Sequence, residues 1–325
     1  VATNKLNPKA TDADWTHTKR ERNQLYSVAN ITDCHMHLIG PQQKFPFSQG
    51  NQDKFSQWSA TEYLQLAKPL GIERYVVTQT PFYGTDNSNL LYSLQQLGGS
   101  ARGIAVVDSS IGEAQYQQLN AAGVVGANFY LMPGGELDWS CLAPTNERIQ
   151  DLCWQTQLQF NGRELEQRLA QICSLQGTLV IDHVGKFQPS VSTADTCFKA
   201  LCKLLDSGRC YVKLSAPYES SDNQMPYLQQ AGSLARFLIR EYPDFLVWGS
   251  NWPHLGLNQR AHWPDTSAAM NCISDWGGDE QTQQKIFTTT PGQLFGFDRH
   301  LLKQPLNQSA NPHREHCNDQ PPSTS

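Results

Sequence analysis

Several common signatures are missing from this sequence, and each absence removes a class of function. No apolar run approaches the roughly 18 residues of a membrane span. The polar, mixed-charge stretch from Val1 to Asn30 does not resemble a signal peptide. No block of lysine and arginine stands out, and a formal net charge of -5 with a pI near 6.0 argues against nucleic acid or an anionic membrane as partner. The nine cysteines include no Cys-x-x-Cys pair and no framework spacing, which argues against a disulfide scaffold and for reduced thiols. Together these absences predict a soluble cytoplasmic protein that acts on a small molecule; they leave its oligomeric state open.

What is present is enough apolar material for a sizeable core, 39% of 325 residues, under a polar, glutamine-rich surface. Residues 1–27 have little apolar periodicity and read as an N-terminal arm. Residues 304–325, with Asn311-Pro312 and Pro321-Pro322, read as a polar, flexible tail. Between them, residues 28–303 alternate short apolar runs with helical patterns. The runs fall at 31–35, 74–78, 103–107, 124–130, 157–160, 178–182, 210–214 and 245–249. Helical patterns follow at 60–68, 88–96, 112–121, 146–154, 163–174, 194–205, 227–241 and 279–288, with Thr61 and Asn146 as expected caps. Runs apolar on both faces suit a parallel sheet covered by helices. Eight such repeats predict a single-domain (β/α)8 TIM barrel. A doubly wound open sheet is the alternative, but the glycine-rich phosphate loop it would carry after its first strand is absent.

In a barrel, chemistry gathers at the C-terminal strand ends. The first run ends in Asp33-Cys34-His35-Met36-His37. Residues i and i+2 of a strand share a face, so His35 and His37 can converge on one metal ion or one substrate oxygen. The other reading is a pair of buried, hydrogen-bonded histidines. Asn128 and Gln159 stand at the fourth and fifth strand ends. The sixth run ends in Ile181-Asp182-His183-Val184-Gly185, and His183 is either a ligand or a core histidine. In the seventh, Lys213 interrupts an apolar strand just before Ser215; lysine is rarely buried without a partner. The eighth ends in a polar, aromatic cluster, Trp248-Gly249-Ser250-Asn251-Trp252-Pro253-His254.

These pieces resemble the amidohydrolase superfamily, in particular the branch containing 2-pyrone-4,6-dicarboxylate hydrolase and the sugar- and muconolactone-type lactonases. The matching segments run in order from D-C-H-M-H, G-P-x-x-x-F-P-F and Y-G-T-D-N (Tyr83–Asn87) through R-G-I-A-V-V-D and I-D-H-V-G to V-K-L-S-A-P-Y (Val212–Tyr218) and W-G-S-N-W-P-H. The resemblance implies hydrolysis of a small carboxylated or polyhydroxy lactone. His35, His37 and His183 would polarise the carbonyl, and an eighth-strand aspartate would act as general base. The arginines with which the pyrone-dicarboxylate hydrolases hold two carboxylates look mostly replaced here, by Asn128 and Lys186 among others. By their strand-end placement, Tyr83, Lys186, Lys213, Ser215 and Tyr218 are candidates to hold one carboxylate or a set of hydroxyls, with Asn128, Gln159 and His254 beside them.

The sequence departs from the pattern at the decisive position, where Asn251 replaces the aspartate. A carboxamide orients water or donates a hydrogen bond but takes no proton near neutral pH. The asparagine is either an inactivating substitution or natural; in the second case another base (His254, Glu219 or Asp182) serves, or hydrolysis has been lost. No cofactor is firmly implied. One zinc on His35 and His37, with His183, is the metal option, and a metal-free pocket of hydrogen-bond donors is preferred over it. A metal-dependent decarboxylase of the same superfamily and a non-hydrolysing ligand-binding protein are the competing functions.

Overall fold

The computed structural model describes residues 28–48, 57–220, 227–255 and 265–298. The expected arm (1–27) and tail (304–325) lie outside the described residues. Eight strands, β1 (Ile31–Met36), β2 (Ile72–Thr78), β3 (Ala101–Ala105), β4 (Val124–Tyr130), β5 (Gln155–Gln159), β6 (Leu179–Ile181), β7 (Cys210–Leu214) and β8 (Leu246–Trp248), form one sheet in sequence order. Every neighbouring pair is parallel. The seam between β8 and β1 is bridged just past β8, where Asn251 N–H donates to the His35 carbonyl and His37 N–H to the Trp252 carbonyl, both at 2.8 Å. The result is a nearly closed (β/α)8 barrel.

The strands are buried almost throughout, as expected when helices cover one face and side chains fill the other. Helix α6 (Thr196–Asp206) shows why the outer layer forms: Cys197, Phe198, Ala200, Leu201, Leu204 and Leu205 make one apolar stripe at helical spacing against the sheet. The segment 294–298 lies across the N-terminal strand ends. Arg74 of β2 pairs with Asp298 at 3.0 Å, Arg102 of β3 stacks on Phe297, and Gln155 of β5 donates to the Leu294 carbonyl. That end is therefore covered, which leaves the C-terminal end for a ligand.

Three local expectations change. Helix α1 (Ala60–Ala67) is capped by Ser59 in a reciprocal capping box with Glu62, two residues before the expected cap Thr61. Asn146 lies inside α4 (Leu142–Gln150), where its amide donates to Thr156 Oγ1 at 2.9 Å and to the Gln176 carbonyl at 3.0 Å, tying α4 to β5. The eighth crossover carries a helix that the sequence pattern did not reveal, α8 (Thr266–Asp275), before the expected 279–288 stretch. That stretch is a short helix (Glu280–Gln284) running into one π-helical turn (Lys285–Thr289). Among the described residues the cysteines are all free, and no helix is long and apolar enough to cross a membrane.

Candidate active site

The two sequence stretches that matter most are bonded to each other. Asp33 accepts from the backbone N–H of His35 (3.1 Å), from that of Ser250 (2.9 Å) and from the Tyr63 hydroxyl (2.7 Å). Burial raises the Asp33 carboxyl, and the bonds from Ser250 and Tyr63 pull the other way. Gly249 is required at this seam: a Cβ there would lie 2.7 Å from His35 Cβ and 2.8 Å from the His35 backbone nitrogen. The strand that carries the histidines is irregular, with a register shift between Asp33 and Met36. The rings nevertheless converge, with His35 centred 4.9 Å from His37 and 4.8 Å from His183.

Below these rings sits a buried ionic group. Lys213 Nζ lies 3.0 Å from His35 Nδ1, 3.1 Å from Asp182 Oδ1 and 2.6 Å from Gln157 Oε1. Burial pushes the Asp182 carboxyl up, but the Lys213 ammonium and His35 outweigh it and hold the group well below the usual carboxylate range. All three histidines are driven toward the neutral form. Burial, then the Lys213 charge, lowers His35; burial, then His35, lowers His183 far and His37 to about 3. His37 Nδ1 bonds the Thr78 carbonyl at 2.8 Å, and His183 Nδ1 bonds Ser215 Oγ at 2.9 Å.

Asn251 occupies the left-handed region (φ 58°), which asparagine and aspartate tolerate better than most residues. Its amide donates to the Tyr218 hydroxyl at 2.7 Å. Behind it, Tyr218 Oη lies 3.1 Å from His254 Nδ1, and burial lowers His254 to about 3. His183, Val184, Lys186, Ala216 and His254 also carry positive φ. Such non-glycine strain gathers at functional sites, where the surroundings hold it in place.

A cavity of about 160 Å³ opens at this end of the barrel. Of the residues singled out in the sequence, His37, Asn128, Gln159, His183, Lys186 and Asn251 line it. His35, Lys213 and Ser215 support those lining groups from below, and Tyr218 and His254 stand behind Asn251. Tyr83 packs with Ile39, Phe45 and Phe47, and the neighbouring Pro81 and Phe82 form the wall. Among the described residues Glu219 is the one carboxylate in the lining, and it pairs with Lys186 at 3.0 Å. Asp182 and His254 are not in the lining. Gln157 was invisible as a site residue in the sequence, since a glutamine on a strand carries no signature.

Among the described residues, His35, Asp182 and His183 could hold a metal ion, their ligand atoms lying within 4.8 Å of one another. This set differs from the expected His35–His37 pair: Asp182 joins, and His37 has turned its Nδ1 to Thr78.

Fold and site together define a (β/α)8 barrel enzyme with a histidine-lined mouth. A model of the amidohydrolase family matches residues 32–297, and the chain belongs to that family. It is 32% identical over 234 residues to D-galactarolactone isomerase of Agrobacterium fabrum, covering 72% of this chain and 80% of that protein. It is 28% identical over 267 residues to 4-sulfomuconolactone hydrolase of Hydrogenophaga intermedia, covering 81% and 88%. An apo crystal structure of an Agrobacterium tumefaciens protein superposes with a TM-score of 0.76 at 29% identity, covering 82% of this chain and 96% of that one.

Proposed function

We propose that this protein is a lactonase-type hydrolase that opens a small polyhydroxy lactone carrying at most one carboxylate. The observation that carries the proposal is the cavity lining, in which His37, His183 and Asn251 meet beside Lys186, the one cation there among the described residues and itself paired with Glu219. The two relatives named for lactones support the substrate class. Addition of water to a lactone carbonyl places negative charge on the carbonyl oxygen, and buried N–H donors stabilise that charge. The ring C–O bond then breaks, and the departing oxygen takes up the proton that the water gave.

In this reading the three histidines have different tasks, and their hydrogen bonds support the division. A carbonyl only accepts, so His37 Nδ1 carries its proton toward Thr78, and in the neutral ring Nε2 is a lone pair. His37 therefore accepts from water rather than donating to an oxyanion. His35 and His183 are the rings free to present an N–H. Asn251 orients the water without taking its proton, so this chain is a slow catalyst compared with one carrying aspartate at that position.

Charge balance supports the substrate class. With the histidines neutral and Lys186 paired to Glu219, the lining among the described residues carries no net positive charge with which to hold a dicarboxylate. Metal assistance fits these residues poorly, because Lys213 already engages His35 Nδ1 and Asp182 Oδ1; no step here runs through a metal. The isomerase relative gives a second reading, in which a hydroxyl of the substrate attacks in place of water. A panel of sugar lactones incubated with Asn251→Asp in 18O-water separates the two. One 18O in the acid product supports hydrolysis, an isomeric lactone without label supports internal transfer, and no turnover of any lactone overturns both.

A further inference from the structure

We propose that Lys213 is a built-in cation that fixes His35 as an Nε2–H donor and closes the His35–Asp182–His183 group to divalent metal. The inference deepens the function proposed above, but the tautomer and the metal exclusion do not depend on which lactone is opened.

An ammonium has three N–H donors and no acceptor. Lys213 Nζ hydrogen-bonds His35 Nδ1 (3.0 Å) and Gln157 Oε1 (2.6 Å) and ion-pairs with Asp182 Oδ1 at 3.1 Å, while that carboxylate oxygen stands farther from His35 Nδ1, at 3.6 Å. All four side chains are buried. Because Lys213 can only donate, His35 Nδ1 must be the unprotonated nitrogen, and in a neutral imidazole the proton then sits on Nε2. His35 Nε2 is buried and has no hydrogen-bond partner among the described residues. Buried donors are almost always paired, so an orphan of this kind points to a partner that arrives from outside. The ring lies 4.9 Å from His37 and 4.8 Å from His183, both of which face the cavity. A carbonyl oxygen gaining negative charge there is the partner such an N–H lacks.

The same protons exclude a metal. A divalent ion needs unshared electron pairs from its ligands. With Nδ1 accepting from Lys213 and Nε2 protonated, His35 offers none. The ion would also sit beside a buried ammonium, where the repulsion is weakly screened. Lys213 is therefore a positioning residue: it touches no substrate and acts through His35.

The first test needs no variant. Nitrogen NMR of the 15N-histidine-labelled protein, with the His35 signals identified by their loss in His35→Gln, reports which ring nitrogen carries the proton. We expect His35 Nε2 protonated and Nδ1 bare; a protonated Nδ1 overturns the proposal. In the second test, zinc titration of the unaltered chain is compared with Lys213→Met, which removes the ammonium and keeps the apolar stem. We expect weak binding by the parent and a gain of at least about tenfold in the variant, the scale on which neighbours of ligands tune metal affinity. Stoichiometric zinc on the parent that shifts the His35 and His183 signals would overturn the metal exclusion. If Lys213→Met leaves Asp182 too poorly compensated to fold, Lys213→Met/Asp182→Asn removes both charges and retains the tautomer readout. There the His35 proton should redistribute between the two nitrogens, and an unchanged Nε2–H signal would count against the assignment. Absence of lactone turnover by Asn251→Asp would sink the proposed reaction and leave these two measurements standing.

Discussion

The Asn251 amide donates to the Tyr218 hydroxyl at 2.7 Å, while the Asn251 backbone N–H reaches back to the His35 carbonyl at 2.8 Å. This one residue therefore ties the eighth-strand loop both to the histidine strand and to the wall behind it. Its left-handed φ of 58° suits aspartate as well as asparagine, so a carboxylate can be installed without moving the backbone. We expect Asn251→Asp to raise kcat/KM for its best lactone by at least about 10²-fold, the lower range for a positioned general base. Steady-state kinetics on the lactone panel checks this. Equal rates in both proteins would remove position 251 from the reaction and favour a ligand-binding role.

His35 should act on the transition state more than on substrate binding, because its free N–H gains strength as the carbonyl oxygen becomes an anion. In the Asn251→Asp background, we expect His35→Ala to lower kcat by roughly 10²–10³-fold, the cost of removing one oxyanion donor, with KM changing much less. A rise in KM at constant kcat would reassign the ring to ground-state binding.

Much of this was legible in the sequence because it rests on local pattern. Parallel strands buried on both faces show up as apolar runs, and their alternation with amphipathic stretches specifies a barrel; the rule that chemistry sits at strand ends then points to His35, His37, His183, Lys213 and Asn251. What was not legible depends on distance through space. Lys213 meets His35 across 178 positions and Gln157 across 56, and no local feature of glutamine marks it as the third acceptor. Asn146 carries the composition of a helix cap, yet tertiary bonds to Thr156 and Gln176 place it in mid-helix. Glu219 was legible as a carboxylate near the seventh strand, but its pairing with Lys186 was not.

That pairing sets a specificity experiment. Lys186 and Glu219 are 3.0 Å apart and mostly withdrawn from solvent. Glu219→Gln frees the ammonium for a substrate carboxylate. A hydrogen bond to a charged group contributes about 1.5–3 kcal/mol, so we expect the ratio of kcat/KM for a monoanionic lactone over its neutral counterpart to rise by about tenfold or more. An unchanged ratio would place the substrate's carboxylate elsewhere in the cavity.

Acid should destabilise this protein earlier than carboxylate titration alone would. Burial lowers His37 and His254 to about 3 from an unfolded value near 6.5. Below pH 6.5 the unfolded chain takes up protons that the folded one refuses. The stability from each group is complete above 6.5 and is lost as pH falls toward 3, by roughly 1 kcal/mol per pH unit for each. Asp182, held low by Lys213, adds a further loss below about pH 4. Urea midpoints measured from pH 8 to pH 5 should be flat above 6.5 and fall below it; a flat profile to pH 5 would mean these rings titrate normally.

Gly249→Ala tests whether the seam between β8 and β1 positions the site. The new Cβ would lie 2.7 Å from His35 Cβ and 2.8 Å from the His35 nitrogen. That nitrogen is held by Asp33 at 3.1 Å, so relief requires β1 to move, and the Asn251-to-His35 backbone bond moves with it. Overpacking of this kind costs about 1–3 kcal/mol, and a displacement near 1 Å costs on the order of 10²-fold in rate. We expect a lower Tm together with a lower kcat in the Asn251→Asp background. Gly99→Ala, where an added Cβ meets nothing within 4 Å, is the control and should change stability by less than about 0.5 kcal/mol. A Gly249→Ala protein with reduced Tm but full kcat would show that the seam carries stability without setting the geometry of His35.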